Sequence, residues 1–187
     1  MPSPTYNLIQ STTLASNAAS FDFNNIPQGY YDLRVHYSIR VTGSSMADLP
    51  MTMNNNTGAV WRGLIMYPDS NTNTRGYGVG NGGTNPDYVS ALWASGGNIA
   101  GGSTCPTGVY TNGQMLVPGY RNTTGLYRRS IVTDNFTLTT GTGNFFTISG
   151  HQTSDVSAVN RLTFNLNSGY GLLAAGSTIS LYGCTNS

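Results

Sequence analysis

Residues 30–41, with the sequence YYDLRVHYSIRV, decide the fold of this chain. From Tyr31 to Val41 every second residue is apolar or aromatic, and the residues between them are Asp32, Arg34, His36, Ser38 and Arg40. Successive side chains of a β-strand point to opposite faces, so this alternation predicts a long strand with one buried face and one face in solvent.

Shorter runs of apolar and β-branched residues lie beyond this strand. We expect strands at residues 21–23, 49–53, 60–67, 114–117, 130–139, 144–149, 159–166 and 177–182. The first should form a hairpin with the long strand across a turn at 24–29, and residues 54–58 should join the next two in a hairpin-like connection. These segments predict an all-β protein, an antiparallel β-sandwich of the jelly-roll type with about eight strands. We expect one domain over residues 1–187, with a short N-terminal arm at residues 1–5.

Residues 68–112 do not continue this series of predicted strands, because Gly, Asn, Thr and Ser dominate them. A connection of this length is uncommon inside a compact domain and is usually functional. We therefore expect an elaborated loop that packs on a neighbouring subunit or presents a surface. Its candidate contact residues are Tyr77, Tyr88, Trp93 and Tyr110. These rings either anchor the loop or stack on sugar rings, and anchoring is favoured since large aromatic side chains are mostly buried.

The charged residues make up only 8% of the chain, and all eight cations are Arg while all seven anions are Asp. Lys and Glu, which favour helices, are absent from the sequence, so long amphipathic helices are not expected. The net charge of +1 gives no field that attracts nucleic acid or an anionic membrane, and we expect neither as a partner. The sequence shows no apolar run of about 18 residues and no secretion signal at its start, so we expect synthesis in a cytosol.

The sequence shows no recognisable catalytic, cofactor or metal site. Residues 78–83 match GxGxxG, but a turn follows them in place of the helix that a dinucleotide site needs. The two histidines are His36, on the polar face of the long strand, and His151, before a turn with Ser154 and Asp155; no nucleophile elbow accompanies them. The aspartates form no DxD or DxE pair. We therefore expect a protein that is not an enzyme and that takes no cofactor.

Two questions stay open from the sequence. A calcium site built from loop carbonyls and aspartates is compatible with it. Cys105 and Cys184 have no CxxC spacing, which argues against zinc, and their distance along the chain does not decide whether they pair in a disulfide.

Three stretches of the chain resemble one family. The first runs from Leu8-Ile9-Gln10-Ser11 to Tyr31-Asp32-Leu33-Arg34-Val35 and ends at Arg40; the second runs from Met53-Asn54-Asn55 to Trp61; the third is AAGSTISLYG at residues 174–183. In this order they resemble tailed-bacteriophage virion structural proteins of the minor structural, head-decoration or fibre-associated type, whose members close on a GSTxxLYG strand.

The resemblance implies a β-sandwich subunit present in many copies on a phage particle, with no catalytic residues to carry over. We expect a capsid decoration or cement protein that binds the assembled head shell and stabilises it. Its partners would be the major capsid protein or other virion proteins, and further copies of itself, with a trimer favoured. The alternative is a receptor-binding or carbohydrate-binding module of a head or tail fibre, with a host-surface glycan as its partner. In both cases the protein would reside in the virion after synthesis in the host cytoplasm.

Overall fold

The structure is a computed structural model that describes residues 5–44, 47, 49–57, 61–68, 74–79, 92–93, 100–102, 105–123, 130–138, 144–153, 155–166, 169 and 171–185. For residues 61–68, 74–79, 92–93, 130–138 and 144–152 the description covers the backbone alone. Across these ranges the protein is all-β and contains no helix, which confirms the fold class expected from the composition.

The described strands form two sheets. In chain order they are β1 (Tyr6–Thr13), β2 (Ser20–Phe23), β3 (Asp32–Val41), β4 (Pro50–Met53), β5 (Trp61–Pro68), β6 (Thr74–Val79), β7 (Leu92–Trp93), β8 (Ala100–Gly101), β9 (Thr111–Val117), β10 (Ser130–Leu138), β11 (Asn144–Thr153), β12 (Leu162–Asn165) and β13 (Thr178–Cys184). The large sheet has the order β1-β13-β3-β9-β10-β11-β5-β6, with β8 pairing β3 beside this path, and the small sheet has the order β2-β12-β4-β7. Every described pairing is antiparallel except the parallel pair β3–β8.

Strand β3 has the two faces that its sequence predicts. Its buried side chains are Leu33, Val35, Tyr37, Ile39 and Val41, and the residues between them are partly or fully exposed. Tyr31 is the exception, because it precedes the strand and its side chain is 52% exposed. Its backbone N–H donates to the carbonyl of Cys184, so it ends the pairing of β3 with β13 instead of facing the core.

One hydrophobic core lies between the two sheets. The small sheet contributes Phe21, Phe23, Met51, Met53, Leu162 and Phe164, and the large sheet contributes the buried face of β3 together with Met115, Val117, Ile179 and Leu181. Tyr120 is fully buried beside them, and its hydroxyl donates to the carbonyl of Pro27. Burial of this continuous apolar surface supplies most of the driving force for folding.

The two hairpins predicted near β3 are wrong. Strand β2 pairs with β12 in the small sheet and not with β3, while β4 and β5 belong to different sheets. Residues 54–57 dock on a distant segment instead: the Asn54 side-chain amide donates to Ala158, and its oxygen accepts from the N–H groups of Asn160 and Arg161. These tertiary contacts override the local turn pattern. The pairing of β10 with β11 around residues 141–143 agrees with the predicted strands.

Residues 68–112 do not form a single long loop. They contain β6, β7 and β8 and the first residues of β9, and β6 pairs with β5 at the edge of the large sheet. The glycines in β6 (TRGYGV) weaken the strand signal in the sequence, and two-residue strands leave no pattern to detect. The count of about eight strands was low for the same reason.

Strand β1 was not predicted from periodicity. It is an edge strand that pairs only with β13 among the described strands, and five of its eight side chains are exposed while the other three are partly buried. A bulge between Leu8 and Gln10 interrupts its register, which also interrupts the alternation. Residues 1–4, most of the expected N-terminal arm, lie outside the described residues.

Candidate functional site

The outer face of the large sheet, opposite the core, presents polar side chains from four neighbouring strands. Strands β1, β13, β3 and β9 lie side by side there, and their register is continuous from Ser11 through Ser180 and His36 to Gln114. We call this four-strand surface the outer face. Because alternate residues of β3 and β13 fill the core, the residues between them must point outward.

One end of the outer face carries aromatic and arginine side chains. The guanidinium of Arg34 lies 5.0 Å from the centre of the Tyr6 ring, and the rings of His36 and Tyr182 meet edge to face at 5.5 Å. Tyr6 and Leu8 are 46% and 57% exposed. We call Tyr6, Leu8 and Arg34 the tyrosine–arginine patch.

The middle of the outer face is a ladder of hydroxyl pairs. Ser11 and Ser180 approach to 2.7 Å between their oxygens, and Thr13 and Thr178 to 2.9 Å. Each pair bridges β1 and β13 at directly opposed register positions. Such pairs fix side-chain rotamers on the surface while adding little to stability, since all four groups reach solvent.

A shallow groove of about 310 Å³ lies on the outer face next to this ladder. Its lining residues are His36, Tyr37, Ser38, Asn112, Gly113, Thr178 and Ser180. The Tyr37 ring is buried in the core, so that residue lines the groove with its main chain. The groove thus has a floor of paired backbone and a rim of hydroxyl, amide and imidazole groups.

Arg40, at the far end of β3, holds the loop at residues 102–109. Its Nη1 donates to the carbonyls of Pro106 at 2.9 Å and Val109 at 2.7 Å, and Nη2 reaches Gly102 at 3.2 Å. Nη2 also lies 3.5 Å from the carbonyl of Cys105. One planar guanidinium therefore satisfies several carbonyls of a segment with little regular structure, a geometry that Lys could not reproduce.

The residues of the GSTxxLYG motif have structural roles. The Ser177 hydroxyl is fully buried and bonds both the N–H and the carbonyl of Arg40, at 3.1 and 3.3 Å. Gly176 has a φ of +83°, and a Cβ there would meet the Tyr110 hydroxyl. A Cβ on Gly183 would overlap the ring of Tyr30. The motif therefore fixes how β13 packs, and only Thr178 and Ser180 of it border the groove.

The four aromatic residues predicted as a contact surface are not brought together by any described contact. Tyr110 is half-buried, and its hydroxyl donates to the carbonyl of Ala175 at 3.0 Å, so it anchors the segment before β9. Tyr77 lies opposite Ile65 at the edge pair β6–β5, and Trp93 lies opposite Pro50 in the small sheet. Tyr88 lies outside the described residues. For Tyr77 and Trp93 the description covers the backbone alone.

The outer face of the small sheet carries a paired charge. Asp22 Oδ1 accepts from Arg161 Nη2 at 2.6 Å and from the Thr163 hydroxyl at 2.6 Å, and Ser20 donates to Oδ2 at 3.1 Å. Burial raises the pKa of Asp22, but the hydrogen bonds from Thr163, Arg161 and Ser20 outweigh it and hold the pKa below its ordinary value. The carboxylate is thus held ionised, the opposite of what a general acid requires.

Asp155, the aspartate considered beside His151, has a structural role, whereas Ser154 and the side chain of His151 lie outside the described part of the chain. Asp155 accepts from the Asn56 amide at 2.6 Å and from the Ser157 N–H at 2.8 Å, which is the turn arrangement expected there.

Over the residues whose side chains are described, no group of three or more His, Cys or Asp could hold a metal ion. No helix in those same residues is long and apolar enough to cross a membrane.

Cys105 and Cys184 are both buried, and neither is part of a disulfide. The loop of Cys105 is bound to Arg40, whereas Cys184 lies opposite Asp32 at the other end of β3. A disulfide between opposite ends of a ten-residue strand is geometrically impossible. Burial, and then the Asp32 carboxylate, raise the pKa of the Cys184 thiol, which keeps it protonated and unreactive at neutral pH.

Sequence reasoning missed the groove and the tyrosine–arginine patch. The polar residues of β3 indicated an outward face, but only the pairing with β1, β13 and β9 brings Ser11, Thr178 and Asn112 beside it. No protein-family model matches this chain, and a search of curated proteins found no significant similarity.

Proposed function

We propose that this protein is a structural component of a tailed-phage particle, and specifically a capsid decoration protein that binds the assembled head shell and stabilises it. One observation carries the proposal. The stretches at 8–11, 31–40 and 174–183, which resemble phage virion proteins, lie in or directly beside β1, β3 and β13. These three strands are neighbours in the large sheet, so the first and third of the resembling stretches meet in one part of the fold. The second stretch begins at the end of β4 in the small sheet and ends at the start of β5, apart from them.

We further propose that the fold is a β-sandwich of the jelly-roll type. Two sheets that share one hydrophobic core support this architecture. In this role the protein is not an enzyme and takes no cofactor; it acts by covering and linking surfaces of other subunits. Its place is the virion, after synthesis in the host cytoplasm.

The tyrosine–arginine patch is the proposed contact with the major capsid protein or another virion protein. Tyr and Arg are enriched at the energetic centres of protein interfaces, because they bury a large area and form directed polar contacts. Arg34 and Tyr6 already restrain each other, and Arg121 lies in the same way 4.9 Å from the centre of the Tyr31 ring. Restraint before binding reduces the entropy lost on association. Further copies of the chain complete a symmetric oligomer, with a trimer favoured.

Co-sedimentation with empty phage heads tests the proposal. The variant pair Tyr6→Ala with Leu8→Asp should weaken binding about tenfold or more, since it removes exposed contact area and adds a charge to be desolvated. Leu172→Asp is the matched control, because Leu172 is also exposed but its carbonyl accepts from Thr42, just beyond the end of β3 that is far from Arg34, and it should bind like the unmodified protein. Heads that carry the protein should resist heating better than heads without it. Absence of the protein from purified particles, or equal binding by all variants, would contradict the proposal.

A further inference from the structure

We propose that the groove on the outer face binds an uncharged saccharide, held by Ser38, Asn112, Thr178 and Ser180, with His36 at its rim. The proposal names a site away from the loop aromatics of residues 68–112, and it does not depend on attachment to a capsid. It rests on three properties of the described groove residues: electrical neutrality, hydrogen-bonding capacity and rigidity.

The groove is neutral because the nearest arginines on β3 are engaged elsewhere. Arg34, at one end, stacks over Tyr6, and Arg40, at the other end, donates to loop carbonyls. Among the lining residues, no carboxylate, guanidinium or amine is present, and His36 is the one ionisable side chain apart from the buried Tyr37. A phosphate or carboxylate ligand would find no paired cation here, whereas a neutral polyol needs none.

The lining side chains can still hydrogen-bond. When two hydroxyls bond each other, as Ser180 does with Ser11 and Thr178 with Thr13, one O–H of each pair and several lone pairs remain available. The Ser38 hydroxyl makes no hydrogen bond to the rest of the described chain, and Asn112 uses one amide hydrogen to reach the carbonyl of Tyr110 at 3.2 Å. These groups both donate and accept, which is what a sugar hydroxyl requires of its partners.

The spacing of these groups follows from the sheet. Side chains on one face repeat about every 7 Å along a strand and about every 5 Å across strands. Ser38, Thr178 and Asn112 occupy one such row across β13, β3 and β9, and Ser180 and His36 belong to the next. This grid is comparable to the width of one sugar ring, and a volume of about 310 Å³ fits one or two rings.

The site is also held in place before binding. Its floor is main chain paired on both sides within the sheet, and the Thr178 and Ser180 rotamers are fixed by their partners on β1. The edge-to-face contact with Tyr182 orients the His36 ring. Prior order lowers the entropy lost on binding, which matters in an open groove that buries little ligand surface.

NMR titration of the full chain with maltose, cellobiose and lactose tests the proposal. We expect millimolar dissociation constants and chemical-shift changes at the amides of residues 36–38, 112–113 and 178–180. Ser38→Ala, Asn112→Ala and Thr178→Val should each weaken binding roughly fivefold, because each removes one hydrogen-bonding group. Thr52→Val is the control, since Thr52 lies in the small sheet and its loss should leave binding unchanged.

The inference is overturned if none of the three sugars shifts these amides at millimolar concentration, or if the shifts map elsewhere. It is also overturned if a sialylated sugar binds with the groove intact while neutral sugars do not, since charge would then be the basis of recognition. Thermal unfolding of each variant separates loss of a contact from loss of the fold. Capsid binding is measured on Tyr6 and Leu8 variants, so either proposal can fail without the other.

Discussion

The two outer faces of this protein use polar side chains in different ways. On the small sheet, Asp22 forms an ion pair with Arg161 and accepts a hydrogen bond from Thr163. Its charge is therefore already paired within the protein and is not left for a ligand. On the large sheet, the groove has hydroxyls and an amide with hydrogen-bonding capacity left over. The difference is that the Asp22–Arg161 pair has its charges satisfied within the fold, whereas the groove keeps neutral hydrogen-bonding groups that the proposed saccharide would use.

A substitution at Arg40 should give the largest loss in the free energy of unfolding. In the large sheet, this arginine is a charged group that is engaged within the protein, as the Asp22–Arg161 pair is in the small sheet. Arg40→Met removes a guanidinium that bonds several carbonyls of residues 102–109, and those carbonyls then lack their charged donor. We expect a loss of about 3 kcal/mol in the free energy of unfolding. Urea denaturation followed by tyrosine and tryptophan fluorescence measures it.

Arg121→Met is the control for Arg40→Met, since among the described residues its guanidinium reaches only the carbonyl of Gln28 at 3.5 Å and the Tyr31 ring. It should change the free energy of unfolding by less than about 0.5 kcal/mol. Equal effects of the two variants would mean that the loop is not held by Arg40.

A substitution at Gly183 should give the next largest loss in the free energy of unfolding. Gly183→Ala places a methyl group against the Tyr30 ring, which must move away from the core it packs on. Overpacking of this kind costs about 2 kcal/mol, visible as a lower midpoint of urea denaturation. Gly29→Ala is matched to it, because a Cβ at Gly29 meets nothing within 4 Å. If both variants unfold at the same urea concentration, the motif does not fix the packing of β13.

The Asp22 cluster should contribute less, and its contribution should depend on pH. Asp22→Asn removes a partly exposed ion pair and should cost about 1 kcal/mol at neutral pH. The folded pKa of Asp22 lies below its ordinary value of 3.8, so the stabilisation is complete above pH 3.8 and is lost as the pH falls through the lower folded pKa. Thermal unfolding from pH 7 to pH 2 should show the two proteins converging in acid. A constant difference across that range would exclude a role for the carboxylate charge.

The hydroxyl ladder should have the smallest effect on stability. Ser180→Ala removes the partner of Ser11 on an exposed surface, and we expect a change below about 0.5 kcal/mol in the free energy of unfolding. Calorimetry measures this value. The same variant should weaken saccharide binding severalfold, so that stability and binding separate on the large-sheet face. A large loss of stability would mean that the hydroxyl ladder, like Arg40 and the Asp22 cluster, mainly stabilises the fold.

Much of the fold could be predicted from local pattern, and the failures have identifiable causes. Alternation predicted β3, because burial of Leu33 and Val35 against solvent exposure of His36 imposes a period of two. Strand β1 escaped prediction because the apolar residues Tyr6 and Leu8 are exposed while the polar residue Asn7 is partly buried, and because a bulge after Leu8 shifts the register, so the sequence shows no regular alternation. The hairpin predicted at residues 54–58 failed because Asn54 satisfies backbone groups of Ala158 and Asn160, a contact that no local rule contains. The hairpin predicted at residues 24–29 failed because β2 pairs with β12 instead of β3.

The candidate site was less predictable than the fold. Tyr110 stood out in the sequence as an aromatic residue in a polar segment, yet its hydroxyl bonds the carbonyl of Ala175. The groove is built from Ser, Thr and Asn, residues that are abundant throughout the chain and carry no signal by themselves. Their register across four strands distinguishes them, and register depends on pairings between residues more than seventy positions apart.

The order of strands in the large sheet has a consequence for synthesis. Strand β13 lies between β1 and β3, so neither of the two early strands has this neighbour until the ribosome has made residues 178–184. Until then β1 (YNLIQSTT), which carries no charge or proline to protect its edges, stays unpaired with β13. Pairings of such long sequence separation form slowly. A nascent chain stalled before residue 178 should therefore be held by chaperones or aggregate, and β1 should join the large sheet only when β13 inserts between it and β3.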